Sequence, residues 1–480
     1  STLDISNADF LNDDWTFSGT GGSVINYGNI KINKPGGYAV LLGSYVKNEG
    51  YIQADLASIA LASGEFMTLS LDAEGLIQVV IDEATSINPE GSSAAVENTG
   101  TLTAGTGRTM GSRILLTAEV VDNVFDQAIN TTGIIEAKTL RTLDGQIALL
   151  ANQDISVGGE VAGGTVEVKS TDGNVTHEEG GLVDVEHNTF RGYAGENYTF
   201  ANDAVINSEN DVDIFAGLDL LFVSGGGDDA VAVVTGRNVF LTADQGSIGQ
   251  ERGGYAVQGQ NLSISAAQGI SGTGPNGGLN VAVERVAARN TDSGDIRIFV
   301  DQDSSISDLS GLSGLNTGVS GLVGIINEAT DGEIDLLVNG ALDIYADITG
   351  KGNIQIETAD DLVQHAGADI LVAGSEDSQL PQPVNLDSPS HQINVRSTDN
   401  TIDMTWQVED PGSKKNGHVS IVSGGAYTME AGTRVETGGG DVGIDAQNDV
   451  ELALINAGTG SVNITSQQGS ILDGDLGTAP

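Results

Sequence analysis

The sequence predicts an all-β chain wound as a parallel β-helix, and three observations predict it. A five-residue phrase, Gly-x-[Ile/Val]-x-[Ile/Leu/Val], opens at Gly145, Gly164, Gly294, Gly332, Gly352, Gly417, Gly440 and Gly460. The steps between copies include 19 (Gly145 to Gly164), 20 (Gly332 to Gly352), 23 (Gly417 to Gly440) and 20 (Gly440 to Gly460) residues, about one solenoid coil each. Within each phrase apolar and polar residues alternate, which turns one face of a short strand inward and the other to solvent. A second phrase follows many of the first, as at Asp172-Gly173-Asn174-Val175, Gln245-Gly246-Ser247-Ile248, Gln268-Gly269-Ile270 and Gln468-Gly469-Ser470-Ile471. Two or three short strands per coil, each opened by a Gly, Asn or Asp corner, is the pattern of a solenoid. A β-sandwich would place turn signals every 8 to 12 residues or so without a coil-length recurrence.

The elements follow in order. At about 22 residues per coil the chain makes about 20 coils, and at ~4.8 Å per coil a rod on the order of 100 Å long. Its core is expected to be stacked Ile, Val, Leu and Ala, because a narrow repeating lumen favours aliphatic side chains in register. Four stretches break the pattern. Residues 119–129 place Val121, Val124, Phe125, Ala128 and Ile129 at helical spacing and predict a short amphipathic α-helix outside the coils. Residues 304–323, centred on Ser310-Gly311-Leu312-Ser313-Gly314-Leu315-type wording, are expected to be an excursion loop. A second excursion is expected over 374–416, which carries Pro381, Pro383, Pro389 and Pro411; proline cannot donate to a strand ladder. No stretch reads as a linker between separate domains.

Composition narrows the class. The 480 residues hold 67 acidic and 19 basic side chains, a net charge of −48, which would repel a phosphate backbone and excludes nucleic-acid binding. No apolar run approaches the ~20 residues of a membrane-spanning helix, so membrane insertion is not expected. Hydrophobic residues at 39%, in short alternating bursts, argue for a folded chain rather than an acidic disordered one. Gly contributes 67 residues, about twice the usual share, while aromatics are 4%. Cys is absent, which excludes disulfides, Cys-zinc sites and thiol nucleophiles and suits export in an unfolded state. The chain opens at Ser1 with no charged-then-apolar leader, as expected of a processed chain or a segment of a longer one.

The first 140 residues carry a more specific wording. Val24-Ile25-Asn26-Tyr27-Gly28-Asn29-Ile30, Val46-Lys47-Asn48-Glu49-Gly50-Tyr51-Ile52 and Val96-Glu97-Asn98-Thr99-Gly100-Thr101-Leu102 share V-x-N-x-G-x-[I/L], with a looser copy over Ile129 to Ile135. Together with the runs Gly36 to Gly43 and Ile59 to Gly64, and with the opening Ser1 to Phe10, this stretch resembles the filamentous haemagglutinin family, the large exoproteins of bacterial two-partner secretion. The resemblance is close over about residues 1–140, the end of a haemagglutinin-type secretion domain with the first coils; over 141–480 only the repeat style continues. It implies a right-handed parallel β-helix, export through an outer-membrane β-barrel partner, and a place outside or on the surface of a Gram-negative-type bacterium. The Asn-Pro-Asn motifs of the family's secretion domain are missing, and Asn88-Pro89-Glu90 is not one of them.

The adjacent acids Asp13-Asp14, Asp228-Asp229 and Asp360-Asp361 read as solvated corners, since neighbours on a strand point to opposite faces and cannot share a substrate. Trp15 and Trp406 are the only tryptophans; Trp406, near Lys414 and Lys415, offers a surface for a glycan or a protein but reads first as a loop anchor. Of His177, His187, His365, His391 and His418, only the group His177, Glu178, Glu179, Asp184, Glu186 and His187 is rich enough to suggest a transition metal. Its ten-residue spacing is half a coil and puts the two imidazoles on different faces. No Ser-His-Asp order, P-loop or dinucleotide fingerprint occurs, and Gly225-Gly226-Gly227 precedes acids. Gly439-Gly440-Asp441-Val442-Gly443-Ile444-Asp445 misses the calcium-roll nonapeptide by one position, so no dedicated calcium site is expected; the field of the net charge would instead gather Ca²⁺ diffusely or bridge molecules through it.

The expectation is therefore a non-catalytic exoprotein with no assigned catalytic or cofactor residues. It would be a rigid β-helical rod acting in adhesion or in extracellular filament or matrix structure. Coils stacking end to end or side by side would join copies, and loops leaving the coils would touch a host or neighbouring-cell glycan or protein. The alternative is a glycan-active or ligand-capturing module on the same scaffold, which needs acids, Arg or Lys and aromatics lined up along one sheet. A stalk role in a contact-dependent toxin would need a C-terminal toxin domain, which this sequence does not contain.

Overall fold

The computed structural model describes residues 1–34, 36–54, 58–72, 76–105, 112–137, 145–223, 233–251, 253–272, 277–312, 314, 321–330, 332–352, 354–372, 393–394, 419–436, 441–458 and 461–474. It is an all-β parallel solenoid with about 15 turns. The chain forms two compact units, Ser1–Gly226 with Val231–Arg237, and Gly227–Ala230 with Asn238–Pro480.

In the first unit each coil contributes three strands, and each strand pairs in parallel with its counterpart one coil away. The first series runs Ser23–Asn26, Tyr45–Asn48, Ala94–Asn98, Gln127–Thr131, Ile155–Val157, Val175–His177, Tyr198–Phe200 and Leu220–Phe222. The second runs from Asn29–Ile32 through Tyr51–Ala54, Thr101–Ala104, Ile134–Ala137, Glu160–Gly163 and Leu182–Val185 to Val205–Ser208. The third runs from Tyr38–Gly43 through Ser58–Ser63, Arg113–Ala118, Gln146–Ala151, Thr165–Ser170 and Phe190–Ala194 to Asp211–Ala216. Alternation fixes which side chains face inward, so one column of the core reads Ile30, Ile52, Leu102, Ile135, Val161, Val183 and Ile206. All but Ile30, at the first coil, are fully buried, each contributing about 1.5–3 kcal/mol of apolar transfer.

A second layer covers part of the third series. Thr16–Ser18, Phe66–Leu71 and Ile77–Glu83 form an antiparallel sheet. It packs Met67 and Leu69 on Leu42 and Ala62, with Leu3, Trp15 and Phe17 alongside, and Ile77 on Ala60 and Leu115. The outward positions of the third series are apolar where this layer lies on them. Farther along, where it does not, they become the half-buried polar residues Glu167, Lys169 and Arg191 together with Tyr193 and Phe215.

In the second unit the same three-strand coil recurs. Ile296–Val300, Ile334–Val338 and Ile354–Thr358 stack in register, as do Val419–Ser423, Val442–Ala446 and Val462–Ser466. Ser304–Ile306, Leu342–Ile344, Leu362–Gln364 and Tyr427–Met429 form the second series, and Ile325–Asn327, Ile348–Gly350, Ile370–Val372 and Arg434–Glu436 the third. Earlier, Val257–Ala266 and Leu279–Asn290 are single strands of 10 and 12 residues that pair from Val257 with Val281 to Ala266 with Asn290.

Several expectations need correction. The solenoid has about 15 turns rather than 20, because insertions lengthen individual coils. Asn48 and Asn98 are neighbours in register yet 50 residues apart, the hairpin lying between them, and His365 and Glu430 meet across 65 residues. The α-helix expected over 119–129 is absent. Val120 bridges to Thr85, Asn123 turns the chain at φ 62, and Gln127–Thr131 is a strand. The apolar spacing that suggested a helix comes from a turn that buries Phe125 followed by a strand that buries Ala128 and Ile129. The described α-helix is instead Asn7–Leu11, capped by Ser6, whose hydroxyl accepts from the Asp9 amide. Residues 304–306 belong to a coil, and the excursion leaves after them, closed at its base by an antiparallel bridge between Asp308 and Val323. Within 374–416, Ile393–Asn394 returns to the solenoid between Ile354–Gln355 and Val419–Ser420; the remainder of that expected loop lies outside the described residues. The core is also less purely aliphatic than expected, since Tyr45, Tyr198, Tyr427, Phe190, Phe200 and Phe222 are fully buried.

Candidate functional site

The V-x-N-x-G wording builds two continuous columns. The Asn26 amide donates to Asn48 Oδ1 at 2.8 Å, Asn48 donates to Asn98 Oδ1 at 2.9 Å, and Asn98 donates to Thr131 Oγ1 at 3.4 Å. Asn48 and Asn98 are fully buried, so each amide must be satisfied inside the solenoid, and the next coil satisfies it. Two residues on, Gly50, Gly100, Gly133 and Gly159 stack so closely that a Cβ on any of them would strike the carbonyl of the glycine one coil below. None of the four has positive φ, so glycine is required here for space rather than for conformation.

The acidic corners have a related role. Oδ1 of Asp154 accepts the Asn174 amide N–H at 2.8 Å, Asn174 Oδ1 accepts from Asn197 N at 3.1 Å, and Asn197 Oδ1 accepts from Asp219 N at 3.1 Å. In the second unit Asp295, Asp303, Asp347, Asp361, Asp441 and Asp449 each accept a backbone N–H from the following coil at 2.7–2.9 Å. A corner amide that turns away from the strand ladder needs an acceptor, and a carboxylate reaching across one coil provides it.

These contacts decide the fate of the candidate acids. Asp361 of the pair Asp360-Asp361 caps the Ala426 amide, and Asp14 accepts from the Thr16 hydroxyl at 2.7 Å beside Asp13, which sits at φ 57 in the turn after the helix. Asp228-Asp229, Gly225 to Gly227, Trp406, Lys414, Lys415, His391, His418, Gly439 and Gly440 lie outside the described residues. Trp15 is half-buried and tilted against Tyr38 at 6.3 Å, an anchor of the second layer.

Among the described residues the histidines are not brought together. His177 is fully buried, its Nε2 2.8 Å from the Tyr198 hydroxyl and its ring stacked on Phe200 at 5.0 Å; burial alone pushes its pKa down to about 3. His187 is on the surface, 3.6 Å from Glu209. Among the described residues no group of three or more His, Asp or Glu is placed to hold a metal ion.

Three clusters were not visible in the sequence. His365 lies between carboxylates from the coils on either side, Nε2 2.7 Å from Asp343 and Nδ1 3.2 Å from Glu430, with its ring stacked on Tyr345 at 4.0 Å. Arg297 gathers Asp295 at 2.9 Å, Asp335 at 3.0 Å and Glu333 at 3.4 Å; burial outweighs the Arg297 charge and pushes the Asp335 carboxyl up to about 6. On the uncovered face of the third series, Lys169, Tyr193 and Phe215 share one register column, beside Glu167, Arg191 and Asp213. This last face comes nearest to the glycan-binding alternative. Yet Tyr193 and Phe215 stack on each other at 4.9 Å and 9°, and the Lys169 ammonium lies 5.3 Å from the Tyr193 ring centre. A sugar platform needs a free ring face, and here both faces of Tyr193 are occupied by the neighbouring coils. Alignment of Thr165–Ser170, Phe190–Ala194 and Asp211–Ala216 by their inward residues would have revealed the column, and alignment of the phrases at Gly294 and Gly332 the pairing of Arg297 with Asp335; the contact of His365 with Glu430 spans an insertion that no repeat predicts.

No helix among the described residues is long and apolar enough to cross a membrane. Comparison with protein-family models, with curated proteins and with solved structures returns no match to this chain.

Proposed function

We propose that the chain is a non-catalytic β-helical scaffold from a secreted bacterial surface exoprotein of the filamentous haemagglutinin kind, acting in adhesion or in extracellular filament or matrix structure. The observation that carries this reading is the coincidence between the resembling wording and the structure. Every V-x-N-x-G copy supplies one Asn rung and one Gly step, so the residues behind the resemblance are those that stack coil on coil. Export through an outer-membrane β-barrel partner and residence outside the cell follow from the same resemblance. A further support is that Asp361, from one of the acid pairs a catalytic reading would recruit, is engaged in holding the Ala426 corner amide.

The test is direct. Purified chain coupled to beads is expected to retain cells or matrix-coated surfaces in a saturable way and to release no new chain ends from acidic polysaccharides. Steady polysaccharide cleavage, abolished by Arg191→Ala, would replace this reading with the glycan-active one.

A further inference from the structure

Among the described residues of the first unit, His177 is a histidine set in the middle of the aromatic core. His177 follows Val157 in the first series and is followed by Phe200 and then Phe222, the last two rings parallel within 2° at 5.1 Å. Phe190 meets the imidazole edge-on at 6.0 Å. Nε2 has one partner, the Tyr198 hydroxyl, and Nδ1 has none. Val157, Phe190, Tyr198 and Phe200 face the ring, and the strand Thr165–Ser170, which also packs here, buries only Val166, Val168 and Ser170; Tyr198 is the one titratable neighbour, its phenol pushed far up by burial and neutral. No charged group contributes to the histidine's environment. Glu178, the next residue, is turned to the outside, where its carboxylate accepts from the Ser156 hydroxyl.

We propose that His177 makes these coils an acid-sensitive element: when an acidic medium protonates the imidazole, the strands Val175–His177 and Tyr198–Phe200 open. An imidazolium has two donors, and the site offers at most one acceptor and no counter-charge. The charged ring is stable only where water reaches it, so protonation is coupled to opening. A Phe or Leu at this step would continue the ladder without that coupling. Opening exposes Phe190, Tyr198, Phe200 and Phe222 together with unpaired strand edges, which are templates for association between copies.

The sign follows from linkage. The folded-state pKa is depressed to about 3, so between the ordinary imidazole value near ~6.5 and that value the open form binds one more proton than the closed form. Closed coils are favoured fully above that window, and the preference is lost as pH falls through it.

Amide hydrogen exchange of the full chain between pH 7 and 4.5 tests this, with protection corrected for intrinsic exchange. Wild-type protection in Val175–His177 and Tyr198–Phe200 is expected to fall by up to ~tenfold per pH unit below about 6.5 relative to two variants. These are His177→Gln, which keeps a neutral partner for Tyr198, and His177→Phe combined with Tyr198→Phe, which restores an all-carbon ladder. Identical pH profiles in wild type and variants would overturn the proposal. Should neither variant fold, ring nuclear magnetic resonance of the wild type decides, with the exposed His187 as internal control. A His177 ring that takes up its proton only together with opening of these coils supports the switch; one that titrates within intact coils, or stays neutral in coils that remain closed across the range, overturns it.

Discussion

Asn98 illustrates how one side chain is committed by the repeat. It accepts from Asn48 below and donates toward Thr131 above, with no water within reach. Asn98→Ala should cost about 1–3 kcal/mol in urea unfolding, because it removes the closest acceptor of the buried Asn48 amide and leaves it only the longer contacts to the Gly50 and Thr101 carbonyls at 3.3 and 3.4 Å. Asn26→Ala, at the partly exposed first rung, should cost less than about 1 kcal/mol. Gly100→Ala should be worse than either, since the added methyl meets the backbone of Glu49 and Gly50 rather than a movable side chain. Asp335 behaves in the opposite sense. Its carboxyl is pushed up to about 6 by burial, so the folded state binds the extra proton between the ordinary value near ~4 and about 6, and stability declines as pH rises through that window. Asp335→Asn should therefore flatten the pH dependence of the melting temperature between pH 4 and 6 and raise it at pH 7; an unchanged profile would show that Arg297 compensates the buried charge in full.

At the scale of elements, the antiparallel layer explains why the outer face of the third series changes character along the first unit. Leu42, Ala60, Ala62 and Leu115 are apolar because Phe66–Leu71 and Ile77–Glu83 lie on them. Replacing residues 65–83 by a short Gly-Ser linker should expose that strip, giving strong binding of a hydrophobic dye and concentration-dependent association, while the circular dichroism of the strands persists. Loss of all β signal would mean that the layer nucleates the coils rather than covering them. The inward-outward alternation and the Gly and Asx corners were legible in the sequence because each is written within five residues. The turn at 119–129 was not, since Val121, Phe125 and Ile129 recur at i, i+4 and i+8 as on a helix face, although Val121 is exposed, Phe125 is buried in a turn and Ile129 belongs to the strand that follows. The charged clusters were only partly legible: the phrases opening at Gly294 and Gly332 set Arg297 opposite Asp335, and Asp343 lies one regular coil before His365, but Glu430 lies 65 residues beyond His365, a distance fixed by an insertion and not by the repeat.

For the molecule as a whole, the net charge of −48 is now partly accounted for. Seven of the described aspartates are corner acceptors whose Oδ1 caps the following coil, and excess negative charge also opposes association of a strand-rich chain. Their mutual repulsion should make the melting temperature rise with ionic strength. Millimolar Ca²⁺ should raise it further than Na⁺ at matched ionic strength; equal shifts would leave screening as the whole effect. The central claim is that sequence-distant repeats are adjacent coils in parallel register. Lys31 and Asn207 are six register steps apart through Gln53, Thr103, Glu136, Ala162 and Asp184, which at ~4.8 Å per step is about 29 Å. Spin labels at these two positions should give a single narrow distance near that value by pulsed electron resonance, and labels at Thr103 and Asn207 one shorter by two steps. A broad distribution, or distances that follow sequence separation instead of coil number, would contradict the solenoid.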